Sequence, residues 1–161
     1  MNQAVLAAKT ETVKTITEKA KESQTIIVCE YRGLTVAQIQ EVRRALHKEN
    51  AEMNVYKNSL VERAVDELGY NEMNDILKGP NAIVFSKDVI GGAKVIAKYA
   101  KRHKDILIVK GGVVEGKFVD AAGMLEVAKL PGREGLISMF LSCLQAPIRS
   151  FACAVKAVAD K

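Results

Sequence analysis

The chain changes character at Leu130-Pro131-Gly132, and this change constrains its fold more than any other feature. Before that point, short β-rich apolar runs alternate with stretches of helical periodicity. After it no strand signal remains and charge is sparse. Apolar residues recur at Ile137, Leu141, Leu144, Ile148, Phe151, Val155 and Val158. Steps of three and four residues put them on one face of a helix, the seam pattern of a helix that packs on another. Pro147 interrupts the run. It has no amide hydrogen and pushes Ala146 out of the helical region, so the sequence predicts a kink or break near 146–147, where a fresh helix can start. The expected division is a globular part at 1–131 and a helical extension at 132–161. The extension either folds back over the globular part or projects and buries its apolar face in another protein. Left in water, that face is a liability, since each large side chain is worth about 1.5–3 kcal/mol on burial.

In the globular part, residues 4–21 read as an exposed amphipathic helix with Leu6, Val13, Ile16 and Ala20 at helical spacing. Residues 25–31 (TIIVCEY) read as a buried strand ended by Arg32-Gly33. Thr35 is placed to cap a helix carrying Val36, Ile39, Val42, Arg43 and Leu46. Residues 51–56 form a second strand, and Lys57-Asn58-Ser59 turns out of it, with Asn58 or Ser59 as cap of a helix that stops near Gly69. Lys78-Gly79-Pro80 breaks the chain before a strand at 82–85. A helix at 90–102 follows, with Val95, Ile96 and Tyr99 inward. A strand at 105–109 is turned or bulged by Lys110-Gly111-Gly112 and continues through Val113-Val114. Glu115-Gly116-Lys117 makes a tight turn before a short strand at Phe118-Val119. The fold class is α+β: a sheet of about four strands with helices packed against it, similar to the split βαβ, ferredoxin-like arrangement, followed by the helical extension.

Nothing in this pattern assembles a catalytic constellation. His47 and His103 each sit beside Lys at the polar end of a helix. H-E-x-x-H, C-x-x-C and G-x-S-x-G are absent, so no metal or other cofactor is expected. The run 110–117 is a turn between strands and not a phosphate loop, which would precede a helix. Cys29, Cys143 and Cys153 each lie in an apolar run and read as buried thiols of a reducing compartment. The first ten residues lack the pattern of a signal peptide, and no apolar run approaches the roughly 20 residues of a membrane span. A cytoplasmic protein without a membrane partner is expected.

The positive signals are basic. The formal net charge of the 161 residues is +5. Between Lys87 and Lys117 stand eight Lys/Arg against three Asp/Glu, which equals the whole excess, whereas the first 66 residues carry ten against nine. Four short turns combine a cation with glycine or a small polar residue: Arg32-Gly33, Lys57-Asn58-Ser59, Lys78-Gly79-Pro80 and Lys110-Gly111-Gly112. Glycine lets a phosphate approach the backbone, Lys or Arg neutralises it, and Asn or Ser directs hydrogen bonds. If the turns face one side, they form a patch for structured RNA read by shape and phosphate contact. The rival reading is a small nucleotide-binding or enzymatic α/β protein that dimerises through its C-terminal helix.

The ordered motifs resemble a family. Glu30-Tyr31-Arg32-Gly33-Leu34-Thr35-Val36, Ile39, Arg43-Arg44-Ala45-Leu46, Val55-Tyr56-Lys57-Asn58-Ser59-Leu60 and Arg63-Ala64 are similar to the N-terminal domain of the bacterial large-subunit ribosomal protein ten family, the stalk-base proteins. The run 79–86, Lys110-Gly111-Gly112, Leu130-Pro131-Gly132-Arg133-Glu134 and Leu144-Gln145-Ala146-Pro147 continue the match in order. The resemblance implies a non-enzymatic scaffold on the ribosome. Its first domain would hold large-subunit ribosomal RNA beside ribosomal protein eleven. Its C-terminal helix would carry dimers of the acidic seven/twelve stalk protein, which recruit translation GTPases. Carried onto this chain, Arg32, Gly33, Lys57, Asn58 and Ser59 would face RNA, and Ile148, Phe151, Val155 and Val158 would face stalk dimers. With the turns at Lys78-Gly79 and Lys110-Gly111, and with Leu141 and Leu144, these complete the candidate site residues. A division of the helix at Pro147 leads to two dimers per chain. The chain departs from the family at Ser59, where Thr is common, at Glu62, where a base is common, and at Gly132 and Gly135, where a capping Ser and a Glu are preferred.

Overall fold

The computed structural model describes residues 3–102 and 106–160. His103 and Asp105 lie outside the described residues, as does the side chain of Leu6. Contacts divide the chain into two compact units, 1–129 and 130–161.

The first unit is a five-stranded antiparallel sheet in the order β2-β3-β1-β4-β5. The strands are β1 (Thr25–Glu30), β2 (Ala51–Asn54), β3 (Asn81–Ser86), β4 (Ile108–Val114) and β5 (Lys117–Asp120). The first four have the ferredoxin-like order, with β1 in the centre beside β3 and β4. β5 is a short edge strand joined to β4 by Glu115 and Gly116 (φ 49° and 79°), a two-residue turn whose positive φ values suit the twist of a hairpin. β4 begins at Ile108, later than the start at residue 105 expected from sequence.

Helices cover both faces, which explains why β1 reads as one continuous apolar run. Ile26 and Val28 face a cluster built by α1 (Gln3–Glu22) and α3 (Asn58–Leu68) through Val13, Ile16, Ala20, Val61, Ala64 and Val65. Ile27 and Cys29 face the other cluster, built by α2 (Val36–Lys48), α4 (Gly91–Arg102) and α5 (Ala121–Val127) through Val42, Leu46, Ala93, Ile96 and Met124. The helix read as exposed from sequence is therefore one layer of the core along its apolar stripe. The connection from β2 to β3 is not a hairpin. It runs through α3 and a 3₁₀ turn at Asn71–Asp75, and this insertion supplies the second helical layer together with α1.

Local signals set the helix ends. Thr35 and Gln38 form a reciprocal capping box at the start of α2. Gly69, at φ 80°, ends α3. The expected cap at Asn58 or Ser59 is not made. Lys57 holds the cap position without a side-chain bond, and Asn58 already belongs to the helix.

The second unit contains α6 (Arg133–Ala159). Pro147 lies inside it, and the helix runs through without the expected break or restart. One proline removes one backbone hydrogen bond at a cost of about 3 kcal/mol, and the turns on either side hold the helix together. Gly132 is the N-cap and offers no side-chain bond. Residues 134–159 are, by length and composition, long and apolar enough to cross a membrane, a departure from the expectation that no run approaches that length. Arg149 sits inside this stretch, and a charge at a bilayer centre costs about 2.5–3.5 kcal/mol on insertion scales.

Candidate functional site

Register decides where the basic turns meet. Glu30, the last residue of β1, pairs with Asn81 at the start of β3 and with Ile108 at the start of β4. Asn54, the last residue of β2, lies opposite Ile83. Hence Arg32-Gly33, Lys57-Asn58-Ser59, Lys78-Gly79-Pro80 and the Lys110 segment all gather at one end of the sheet. Antiparallel pairing brings them there from four separate stretches of sequence.

Hydrogen bonds tie the turns to one another. The Asn58 side-chain amide donates to the Gly79 carbonyl at 2.9 Å. Lys110 Nζ donates to the Lys78 carbonyl at 2.6 Å and to Asn81 Oδ1 at 2.9 Å, and it pairs with Glu30 Oε2 at 3.1 Å. An ammonium has three donors, so all of Lys110's are engaged internally. Gly79 has φ 98°, and a Cβ there would lie 3.4 Å from Lys110 Nζ. Lys110 is thus a fastener of the loop at 78–80, not a free cation for phosphate.

Gly111 also differs from its sequence reading. The register shifts between Val28 and Cys29, which pair with Gly111 and Val109, and Lys110 is left as the bulged residue. Gly111 is buried at φ 143°, with space for a Cβ closed by the Val119 carbonyl at 3.0 Å. Its glycine serves close packing of β4 on β5 and leaves no approach for a phosphate.

Arg32, Gly33, Lys57, Ser59, Lys78 and Gly79 are exposed, and Asn58 is half-buried. Among the described residues Arg32 and Lys57 make no ion pair, and Lys78 has only a loose contact with Asp75 at 3.9 Å between two almost fully solvated groups. This end therefore presents three available cations, a hydroxyl and two positive-φ glycines, Gly33 at 96° and Gly79 at 98°. Glu30 and Asn81 were not singled out from sequence. Both lie inside the quoted motifs, yet their role as acceptors for Lys110 depends on register.

The opposite end of the sheet carries an open cleft of about 230 Å³ lined by Lys19, Glu22, His47, Glu52, Ser86 and Lys87, among others. Lys19 and Glu52 pair across it at 2.6 Å. Their hydrogen bond raises the Lys19 pKa above its ordinary value and lowers that of Glu52. Both groups are thus held charged and occupied with each other. Burial pushes the Cys29 thiol up to about 12, so it stays protonated and inert. Cys143 and Cys153 are exposed on α6, contrary to the buried reading, because their apolar neighbours form an exposed helix. Among the described residues no three His, Cys, Asp or Glu side chains could hold a metal ion.

On α6 the apolar stripe stands open. Leu141, Leu144, Ile148, Phe151, Val155 and Val158 are all exposed, Ile148 and Phe151 by 74% each and Val158 by 76%. These values exceed what a core residue tolerates, so the stripe is an exposed apolar face.

A family model described as "Ribosomal protein L10" matches residues 4–101, and one described as "Ribosomal protein uL10 C-terminal region" matches 130–161. The chain belongs to the ribosomal protein L10 family. Its relatives include a large ribosomal subunit protein uL10 of Bacillus licheniformis, 46% identical over 159 residues, covering 98% of this chain and 95% of the relative. A protein of the same description from Bacillus cereus is 48% identical over 158 residues, with the same coverage of each chain. As a member of the L10 family the chain is a structural component of the large ribosomal subunit in the bacterial cytoplasm and not an enzyme. The rival reading of a small enzyme is thereby corrected.

Proposed function

We propose that the sheet end holds large-subunit ribosomal RNA and that α6 anchors dimers of the acidic seven/twelve stalk protein, which recruit translation GTPases. The observation that carries the RNA half is the convergence of the basic turns at one end of the sheet, where Arg32, Lys57 and Lys78 are free and the loop at 78–80 is fastened. Arg32, Lys57 and Lys78 neutralise phosphates. Gly33 and Gly79 let the RNA backbone approach, and Asn58 and Ser59 direct hydrogen bonds. Lys110 acts indirectly by holding the loop, and Gly111 by letting β4 pack closely on β5. The fit is to shape and phosphates, since Arg32 and Lys57 sit on turns and the adjacent rings, Tyr31 and Tyr56, are each packed against a core cluster.

The stalk half rests on the exposed seam of α6. Its large apolar side chains flank Gln145-Ala146-Pro147, and the helix is about 40 Å long at 1.5 Å per residue. We infer two dimers per chain, one on each side of Pro147, with Leu141 and Leu144 in the first platform and Ile148, Phe151, Val155 and Val158 in the second. The helix is continuous there, so the division comes from side-chain grouping and not from a backbone break. Residues 1–131 then form the RNA-binding domain and 132–161 the stalk platform. Ribosomal protein eleven as the neighbour rests on the family resemblance alone, and no residue is assigned to it. The RNA half is tested by titrating a stalk-base fragment of large-subunit ribosomal RNA at several salt concentrations. Arg32→Ala and Lys57→Ala should each make the dependence of log K on log salt shallower by about 0.7–0.9, one phosphate contact. Unchanged slopes in both variants would remove these turns from the interface.

A further inference from the structure

The sheet end leaves most of the chain's positive charge unused. All the net excess lies between residues 87 and 117, and Lys110, the member of that stretch at the sheet end, is consumed internally. Four of the remaining cations, Lys94, Lys98, Lys101 and Arg102, belong to α4. We propose that the exposed face of α4 bearing Lys94, Lys98 and Lys101 is a second contact for RNA phosphates, a cationic track that extends the interface away from the sheet end. This rests on the reading that the chain sits on RNA.

The face is continuous. At about 100° per residue, Lys94, Lys98 and Lys101 fall within roughly 60° of one another. Gly92, Ala93, Ile96 and Ala97 occupy the opposite side and are buried against the sheet. All three lysines are exposed, and among the described residues none makes an ion pair. Arg102 is different: it pairs with Glu41 at 3.1 Å and lies over the Tyr99 ring, so it flanks the track and is not counted in it.

An ordinary solvated helix face interleaves both signs. α1 does so, with Lys9, Glu11, Lys14, Glu18, Lys19, Lys21 and Glu22 in succession. α4 contains no Asp or Glu. Like charges at i,i+4 weaken a helix, as Lys94 and Lys98 do here. Lys101 lies in the last turn, where the helix dipole favours a cation. Lys94 lies in the first turn, where the dipole opposes one, so propensity does not explain its place. The acids near α4 are Asp88, just before its first residue, and Glu41 and Glu49 of α2 and its C-cap, which line a groove with Arg44, Lys48 and Lys98. Glu41 is taken up by Arg102 and the Tyr99 hydroxyl, and the groove holds three cations against two acids, so it does not cancel the track.

The placement suits a long polyanion. α4 starts beyond the far end of β3, and β4 opens at the Glu30 end, so the last turn of α4 leads towards Arg32-Gly33. The packing of Ile106 near Gly33 brings the segment before β4 to that turn. Lysines are compact point charges that neutralise phosphates without reading bases, as a shape-directed contact requires.

The full-length chain is titrated with the stalk-base RNA fragment over a range of KCl concentrations. The variants are Lys94→Gln/Lys98→Gln/Lys101→Gln, the same three positions changed to Arg, and Arg32→Ala/Lys57→Ala. The Gln variant should bind with a log K–log salt slope shallower by about 2 to 3, the sum of three phosphate contacts, and the Arg variant should restore the wild-type slope. A wild-type slope in the Gln variant overturns the proposal, and so does an Arg variant as shallow as the Gln one, which would point to a packing role. Poly-glutamate binding that is lost in the Gln variant while its RNA slope stays unchanged reassigns the face to an acidic protein and also overturns it. If the Arg32/Lys57 variant keeps the wild-type slope while the Gln variant loses it, the sheet-end reading fails and the α4 track stands.

Discussion

Gly112→Ala should destabilise the globular unit by about 3 kcal/mol or more and lower its melting temperature by about 10 °C. Gly112 pairs with Ile27 in the centre of the sheet. A Cβ built there lies 2.1 Å from the Ile26 carbonyl oxygen, 3.0 Å from Ile27 Cα and 2.9 Å from the Met124 side-chain methyl. The methionine can swing aside, but the backbone of β1 cannot, because β1 is held on both edges by β3 and β4. The strain must be relieved by separating β1 from β4, which also loosens the Lys110 fastening at the end of the same pair. Gly116→Ala, where the nearest atom is the Tyr70 hydroxyl at 3.8 Å, should cost only the strain of its positive φ. Thermal and urea unfolding of both variants checks the contrast. Equal losses would show that close approach of β4 to β1 is not what position 112 requires.

Phe151→Asp should weaken the distal stalk dimer about 100- to 4,000-fold while RNA affinity is unchanged. Phe151 is 74% exposed in the free chain, so the substitution spares the folded unit. In the proposed interface it would bury an unpaired carboxylate, at a cost of roughly 3–5 kcal/mol. Such a cost corresponds to that loss of affinity. Calorimetric titration of the variant with purified stalk protein reads the effect, and full occupancy at wild-type affinity would remove this face from the platform.

β1 and β3 were legible because each is short, apolar and bounded by Gly, Pro or polar turns. The second helical layer was not. The polar residues of α1 dominate its local reading, and only the sheet shows that Val13, Ile16 and Ala20 have a face to cover. Lys110 illustrates the limit at the site. Its bulge could be foreseen from Gly111-Gly112, but its acceptors, Glu30, Asn81 and the Lys78 carbonyl, come from distant segments that meet through strand register. Local rules overestimated Pro147, since a long helix loses one hydrogen bond there and keeps its flanking turns. Cys143 and Cys153 failed for a related reason: an apolar neighbourhood on a helix fits a core and an exposed seam alike.

The adaptor reading is tested most directly by native mass spectrometry of a mixture of chain, stalk-base RNA fragment and stalk protein, run in parallel with residues 1–131. The full chain should appear with one RNA and four stalk copies, two dimers, and the truncated chain with RNA alone. Three dimers on the full chain would contradict the count. RNA and stalk protein that never share one complex, or stalk protein retained by residues 1–131, would contradict the division of labour between the sheet end and α6.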